Sequence, residues 1–371
     1  MSAADLKSII NPRLIAEIAD EVRRAHAPFD SAGFLAKSVD RLEALELSAR
    51  AWQVAEALNQ FLPTPFAKAA QVIEASLGPE IEPTGNNGLS PLRYMPHVFF
   101  VQKYGLCDFE AAIHLQEELT KRFSAESSIR AFLVKHPERT YARMLQWAKA
   151  DNPHLRRLAS EGTRPRLPWA FRLRAYIENP SPVLALLELL KDDPVLYVRR
   201  SVANNLNDIA KDHPALTVET CRRWAENASP ERAWIVRHAL RSLVKAGNRD
   251  AIAILGGSAN PQFRVTGIKI VPARIQRGGD VRLKFDVAST GREAQRLLID
   301  YAVHFVKASG KSSRKVFKLR TVTLNKNERI SLEAVISTKE MTTRRHYTGR
   351  HNVEAMINGH AYPLGAFELT P

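Results

Sequence analysis

The chain of 371 residues is poor in cysteine and lacks any apolar run long enough to span a bilayer. Its two cysteines, Cys107 and Cys221, are too few for a disulfide framework or a four-ligand zinc site. The lack of a long apolar run argues against a membrane span. The N-terminal residues carry acids in a helical pattern instead of a secretion signal. We therefore expect a protein of the reducing cytoplasm.

Several enzyme signatures are also missing from the sequence. It contains no phosphate-cradling glycine-rich loop, no His-Glu-x-x-His, no Gly-x-Ser-x-Gly and no Cys/His cluster at ligand spacing. These absences argue against a P-loop nucleotidase, a zinc protease and a serine hydrolase. No lysine occurs between residues 150 and 190, so that region offers no Schiff-base nucleophile. We expect neither a metal nor another cofactor.

Positive charge is abundant but unevenly distributed. The chain has 54 Lys and Arg against 39 Asp and Glu, a formal net charge of +15. Residues 1–120 carry −6, residues 121–180 carry +8, residues 181–260 carry +2 and residues 261–371 carry +11. Two basic blocks separated by near-neutral sequence suggest two surfaces that contact one polyanion. The alternative is a solvated basic face without a partner.

Up to residue 256 the apolar pattern is helical, and a repeat emerges from residue 137 onward. Leu14, Ile15, Ile18 and Val22 recur at the spacing that gives a helix one apolar face. Three pairs of a capping residue and proline, 41 and 36 residues apart, predict helix starts. The second pair is followed by small and apolar residues at helix-packing spacing, which resembles the HEAT repeat. The three pairs are Asn152-Pro153, Asp193-Pro194 and Ser229-Pro230.

After Gly256-Gly257 the pattern changes to an alternation of polar and apolar residues. About seven short segments of this kind, separated by turn-forming groups, indicate an antiparallel β-sandwich of immunoglobulin-like type. The expected fold is multidomain α + β, with a HEAT-like α-solenoid followed by this sandwich. We expect the solenoid to occupy residues 1–256 and the sandwich residues 261–371.

A carboxylate lies within the first basic block. Glu161 follows Arg157 by one helical turn, and a pair at this spacing can be an ordinary helix-surface ion pair. The predicted helix then breaks at a glycine, and a proline-rich turn follows. An acid, arginines and a tryptophan would thus meet at the end of that helix, namely Glu161, Arg164, Arg166 and Trp169.

Two stretches of the chain resemble a known family. They are residues 155–169, LRRLASEGTRPRLPW, and residues 193–214, which begin DPVLYVRRSVANNLNDIAKD. They look like the DNA alkylation repair glycosylases built on HEAT-like repeats, and the C-terminal strands match the AlkC type, which carries an immunoglobulin-like domain. The resemblance implies a monofunctional DNA glycosylase that excises 3-methyladenine and 3-methylcytosine from duplex DNA without deep base flipping. We expect a monomer whose two domains both bind DNA and together encircle the duplex. When bound to DNA, the protein would be associated with the nucleoid.

The resemblance also implies roles for individual residues. Glu161 and Asp208 would act on the sugar and the attacking water, with Glu126 as an auxiliary carboxylate and Trp169 as an aromatic wall. Glu126 could instead cap a helix, and Asp208 could cap or pair locally. The residues implied to hold phosphates are Arg157, Arg164 and Arg166, with Arg199 and Arg200 as further helpers.

The predicted sandwich has its own basic segment, residues 342–351. Three arginines beside an aromatic residue form a mixture that can enter a minor groove or grip a backbone. Residues 311–320 add five basic groups, which we expect to contact phosphates. The alternative is an ordinary exposed basic loop. The residues expected to bind DNA from the first segment are Arg344, Arg345, Tyr347 and Arg350.

A rival class remains open from the sequence, in which the solenoid is a non-enzymatic scaffold for nucleic acid or an acidic protein. The two classes differ in their use of carboxylates. A scaffold needs neither Glu161 nor Asp208, whereas a glycosylase depends on them.

Overall fold

The computed structural model describes residues 6–82, 88–340 and 345–371, with helices first and strands after them. None of the helices in these ranges combines the length and the apolar character that crossing a bilayer requires. The helices are α1 (Pro12–Ala25), α2 (Ser31–Val39), α3 (Leu47–Phe61), α4 (Phe66–Ser76), α5 (Met95–Tyr104), α6 (Phe109–Thr120), α7 (Ile129–Lys135), α8 (Pro137–Trp147), α9 (Pro153–Gly162), α10 (Arg174–Glu178), α11 (Ser181–Leu190), α12 (Leu196–Ile209), α13 (Pro214–Ala225), α14 (Pro230–Ala239), α15 (Arg241–Ala246) and α16 (Arg249–Ile254). The strands are β1 (Phe263–Val271), β2 (Arg274–Gln276), β3 (Asp280–Ser289), β4 (Gln295–Val306), β5 (Ser312–Leu324), β6 (Arg329–Ser337), β7 (Gly349–Ile357) and β8 (His360–Thr370).

The first helix shows how local sequence sets an element and its buried face. The Asn11 carboxamide oxygen accepts a hydrogen bond from the Leu14 amide at 2.9 Å, and Pro12 occupies the first helical position. The four apolar residues that predicted this helix are all buried. The predicted apolar face is therefore confirmed.

Two of the three predicted helix starts coincide with the observed ones. Helix α9 begins at Pro153 behind the Asn152 cap, and α14 begins at Pro230 behind Ser229. The third prediction is displaced, because α12 begins at Leu196 and not at the Asp193-Pro194 pair. The Asp193 carboxylate accepts from the Val195 amide at 2.9 Å, so it caps a turn that precedes the helix.

The strands form two sheets of an immunoglobulin-like sandwich, with orders β1-β3-β6 and β2-β8-β7-β4-β5. The described residues contain eight strands, one more than predicted. The additional strand is β2, which pairs in parallel with β8 and has only three residues, too few to show an alternating pattern. The sandwich core lies between the sheets and includes Phe285 of β3, Val303 of β4 and Phe367 of β8.

The chain separates into two compact units whose limits differ from a simple cut near residue 256. One unit comprises the residues up to 212 together with 228–239, and the other comprises 213–227 together with 240–371. Helices α13, α15 and α16 thus belong to the unit that contains the sandwich. The domain limits 1–256 and 261–371 stay a prediction.

Candidate active site

Glu161 lies at the C-terminal end of α9, where the helix packs on α12. The Glu161 side chain is only 8% exposed. Its Oε1 accepts from Arg164 Nη1 at 2.6 Å, and its Oε2 accepts from the Ser201 hydroxyl at 2.6 Å. The hydroxyl oxygens of Ser201 and Ser160 lie 2.9 Å apart, so a hydroxyl pair joins the two helices beside the carboxylate. Glu161 is therefore an internal, fixed group and not a surface partner.

Arg164 joins Glu161 to a second buried carboxylate. Its Nε donates to Asp208 Oδ2 at 2.8 Å, while its Nη1 donates to Glu161. Asp208 is 2% exposed and also accepts from Lys211 Nζ at 2.8 Å. Because α9 and α12 each contribute one of these acids, the helix packing brings together residues 47 positions apart in the sequence. The resulting arrangement is a carboxylate–guanidinium–carboxylate bridge.

A third acid enters through Arg157. Glu126 Oε2 lies 2.7 Å from Arg157 Nη1, and Arg157 Nη2 lies 3.7 Å from Glu161 Oε1. The Ser124 hydroxyl donates to Glu126 at 2.8 Å and also accepts from Arg157 Nη1 at 3.0 Å. The Arg157 guanidinium stands over the Tyr197 ring, 5.0 Å from its centroid. Glu126 is thus linked to the Glu161 bridge through one shared arginine.

The electrostatics of the cluster favour the ionised form of Glu161. Burial disfavours the charged form of Glu161, but Arg157, Arg164 and the Ser201 hydroxyl outweigh it and hold the pKa of Glu161 below its ordinary value. The same cluster acts on Arg157, whose pKa is raised by Glu126 and Glu161 although its burial acts to lower it. Glu161 therefore carries its negative charge at neutral pH.

Trp169 lies on the loop that follows α9, and it differs from the buried acids in being exposed. Its side chain is 83% exposed, and its backbone adopts a left-handed φ of 62°. This conformation is unfavourable for a bulky residue and persists where the surrounding chain enforces it. An exposed aromatic ring held by strained backbone fits contact with a ligand better than packing within the protein.

With the fold and the cluster established, comparisons with known proteins identify the family. A family model described as "Uncharacterised protein YhaZ, C-terminal Ig-like domain" matches residues 264–371. The "Uncharacterized protein YhaZ" of Bacillus subtilis (strain 168) is 37% identical over 359 residues, covering 96% of this chain and 97% of that protein. The structure of the Pseudomonas fluorescens alkylpurine DNA glycosylase AlkC, bound to DNA containing an abasic site analog, is 38% identical, covers 99% of both chains and has a TM-score of 0.90. The chain belongs to the AlkC family.

In this member of the AlkC family, four of the five solenoid arginines expected to hold phosphates have carboxylate or carbonyl partners within the protein. Arg166 forms a bidentate pair with Asp212 at 2.7 and 2.6 Å, in addition to the pairs of Arg157 and Arg164 described above. Arg199 Nη1 donates to the carbonyl oxygens of residues 193 and 194 at 2.9 and 2.6 Å. Arg200 is exposed.

The sandwich residues expected to bind DNA are more accessible. Arg345 and Arg350 are exposed, and the Arg345 guanidinium stands 5.9 Å from the centroid of the half-buried Tyr347 ring. Arg350 lies within β7, where its strand partner is Glu368 of β8. Arg344 lies outside the described residues. Within 311–320, the exposed basic residues of edge strand β5 are Arg314, Lys315, Lys318 and Arg320.

Sequence reasoning missed three residues that bind the acids or arginines of this cluster, namely Ser201, Lys211 and Asp212. Ser201 lies seven residues before Asp208 on α12, hence on the same helix face, and this spacing is a signal that could have indicated it. Lys211 and Asp212 follow Asp208 by three and four residues in the same way. Asp212 pairs with an arginine 46 residues away, an interaction that one sequence does not reveal.

Proposed function

We propose that this AlkC chain is a monofunctional DNA glycosylase that hydrolyses the N-glycosidic bond of cationic N3-alkylated bases, 3-methyladenine and 3-methylcytosine, in duplex DNA. The observation that carries the proposal is the bridge of two buried, fixed carboxylates at the base of a loop whose tip is an exposed tryptophan. The similarity to the alkylpurine DNA glycosylase AlkC supports the same interpretation.

The chemistry matches these groups. A base alkylated at N3 is cationic and leaves readily, so the reaction needs little help from a general acid. The obstacle is the positive charge that develops on the deoxyribose as the bond breaks, as in other glycosyl transfers. Glu161 and Asp208 stabilise that charge electrostatically and position the attacking water, because each carboxylate oxygen can accept more than the single short bond it already makes. Glu126 acts as the auxiliary carboxylate through Arg157.

The arginines beside these acids have a different role from phosphate binding. Arg157 and Arg164 form ion pairs with the carboxylates and orient them, and Arg166 pairs with Asp212. Phosphate contacts then come from exposed basic residues such as Arg200 and those of the sandwich.

Trp169 provides the contact with the lesion. Its ring extends outward and can face a cationic base or sugar, where cation–π attraction contributes about 0.5–2 kcal/mol. An exposed ring at a loop tip suits recognition of a base that stays near the helix, and it does not line an enclosed pocket for a flipped base. A non-enzymatic scaffold would have no use for two buried carboxylates joined by one arginine.

The test is incubation of the purified protein with duplex DNA treated with a methylating agent, followed by chromatographic identification of the released bases. We expect 3-methyladenine and 3-methylcytosine in the supernatant and strand cleavage only after alkali, since no Schiff-base lysine is proposed. Release no faster than in protein-free DNA would contradict the proposal and favour the scaffold.

A further inference from the structure

Arg130 of α7 is fully buried, and its described hydrogen bonds all go to backbone carbonyls. Its Nε and Nη2 donate to the Phe171 carbonyl at 3.0 and 2.5 Å. Its Nη1 donates to the carbonyls of Gly162 at 3.2 Å and Arg164 at 2.7 Å. Burying a guanidinium has a large desolvation cost. Because Arg130 is buried and all its described hydrogen bonds go to three carbonyls around one loop, its placement indicates a role in holding that loop.

The three carbonyls belong to both ends of the loop that follows α9. Gly162 is the last residue of α9, Arg164 lies at the start of the loop, and Phe171 lies near its end before α10. The Leu173 amide also donates to the Pro165 carbonyl at 3.2 Å, which brings the two ends together. Arg130 thus closes the loop from its inner side, with its guanidinium 5.5 Å from the centroid of the Phe171 ring.

Close packing of α7 against the end of α9 lets Arg130 reach these carbonyls. A Cβ atom built on Gly162 would lie 2.7 Å from Ile129 Cγ2, a distance too short for any side chain larger than glycine. Ile129 is the neighbour of Arg130 and is itself completely buried. Glycine at position 162 therefore allows the approach on which the hydrogen bonds to the loop depend.

The closed loop carries both groups that the proposed reaction needs from this segment. Arg164 at its start joins the two carboxylates, and Trp169 at its tip presents the exposed ring. The left-handed backbone at Trp169 must be held by other contacts, because an exposed ring gains little stabilisation from packing. The bonds from Arg130 to both ends of the loop supply that constraint.

We propose that Arg130 is a positioning residue, which closes the loop from Gly162 to Phe171 and thereby fixes Arg164 and Trp169 in their reactive places. The effect on catalysis rests on the proposed glycosylase function. Burial, with Arg164 nearby, lowers the pKa of Arg130 to about 10, and at that value the side chain keeps its charge at neutral pH. The loop carbonyls thus face a cation under the conditions of the reaction.

The test compares Arg130→Lys and Arg130→Met with Arg50→Lys as the matched control. Arg50 is 3% exposed and likewise donates to backbone carbonyls, those of Lys7, Ile10 and Leu45, outside the loop. Lysine keeps the charge but cannot span three carbonyls. We expect the single-turnover rate of base release to fall about 30-fold in Arg130→Lys and further in Arg130→Met, with the DNA dissociation constant within about threefold of the wild type.

A rate in Arg130→Lys equal to the wild type would overturn the inference. So would an equal loss in Arg50→Lys, because the effect would then come from general destabilisation. The thermal unfolding temperature of each variant should lie well above the assay temperature, so that the rates of folded proteins are compared.

Hydrogen exchange of the amides at 163–173 tests the same inference without any reaction. We expect these amides to exchange about tenfold faster in Arg130→Lys and at the wild-type rate in Arg50→Lys. Wild-type protection in Arg130→Lys would reject the role of Arg130 in the loop. If the wild type releases no base while loop protection still depends on Arg130, the proposed function fails and the loop constraint stands.

Discussion

The charged groups around Glu161 and those on the sandwich differ in burial and in pairing. Glu161, Arg164 and Asp208 are each less than a tenth exposed, and their ion pairs with one another are short. Lys318 and Arg320 of β5, by contrast, are exposed on an edge strand. Basic residues on an edge strand also discourage strand addition, so exposure alone does not establish a DNA contact.

This difference shows that the net charge of a sequence segment does not predict how much charge that segment exposes at the protein surface. Residues 121–180 carry +8, yet many of their arginines pair with acids outside that segment. Arg156 pairs with Asp193 and Arg166 with Asp212, while Arg139 pairs with Glu110. These arginines of the helical region pair with acids inside the protein, whereas Lys318 and Arg320 of the sandwich are exposed to solvent.

Neutralising Glu161 should have the largest effect, because it removes one end of the buried bridge. We expect Glu161→Gln to slow single-turnover release of 3-methyladenine by about 100- to 1000-fold, the loss typical of removing one preorganised electrostatic group. DNA affinity should stay within about threefold, since counterion release depends on exposed cations. Release is measured by chromatography and affinity by fluorescence anisotropy.

Glu118→Gln is the matched control for this change. Glu118 is also held by two cations, Lys121 at 2.6 Å and Arg122 at 2.9 Å, and its pKa is likewise lowered, with those cations outweighing burial. It lies outside the bridge, so its rate should equal that of the wild type. Equal losses in both variants would show that any paired carboxylate matters, and the assignment of Glu161 would fail.

Replacing Trp169 should have an intermediate effect. In the proposed function its ring contacts the lesion, but unlike Glu161 it carries no negative charge. We expect Trp169→Ala to reduce the single-turnover rate about tenfold, in line with removal of one cation–π interaction. Trp169→Phe keeps an aromatic face and should lose no more than about threefold. If the alanine and phenylalanine variants are equally slow, the ring acts through its shape and not through its π face.

Features that depend on residues close together in the sequence were predictable, whereas features that depend on contacts between distant residues were not. Helix starts at Asn152 and Ser229 depend on caps a few residues away, and their prediction is confirmed. The link between Glu126 and Glu161 through Arg157 depends on tertiary packing, and it was not predicted. The resemblance to a family assigned both acids to the site, but it assigned Arg157 to phosphates. The role of Arg130 had no sequence signal at all, because its partners are carbonyls, which every residue possesses.

Removing exposed charge from the sandwich should alter salt dependence more than chemistry. We expect the double variant Lys318→Ala/Arg320→Ala to reduce the slope of log affinity against log salt by about 0.9 for each phosphate that is no longer neutralised, with the rate at saturating protein unchanged. Point substitutions are preferable to deleting residues 261–371, because that cut would divide one compact unit. Anisotropy titrations at several salt concentrations measure the slope.

The control for the sandwich is Lys284→Ala on the other sheet. Lys284 is also exposed and basic, but it pairs with Glu333 at 2.7 Å across β3 and β6. Its slope should match the wild type. An equal reduction in slope for both variants would show that β5 contributes only general charge, and its role as a phosphate surface would be rejected.

The smallest expected effect concerns stability against pH, where the two regions should behave with opposite signs. Cationic neighbours lower the pKa of Glu161 despite burial, so its stabilising effect is present above the ordinary glutamate pKa and lost as pH falls through the folded value. Burial raises the pKa of Asp300 in β4, so its contribution is present below the ordinary aspartate pKa and lost as pH rises through the folded value. Relative to wild type, Glu161→Gln should become less destabilising as pH falls from about 6 to 3, and Asp300→Asn should become more favourable as pH rises from about 4 to 7. Thermal unfolding across this range measures both differences. If the stability of both variants relative to the wild type changed in the same direction with pH, the contrast between a paired buried acid and an acid dominated by burial would be contradicted.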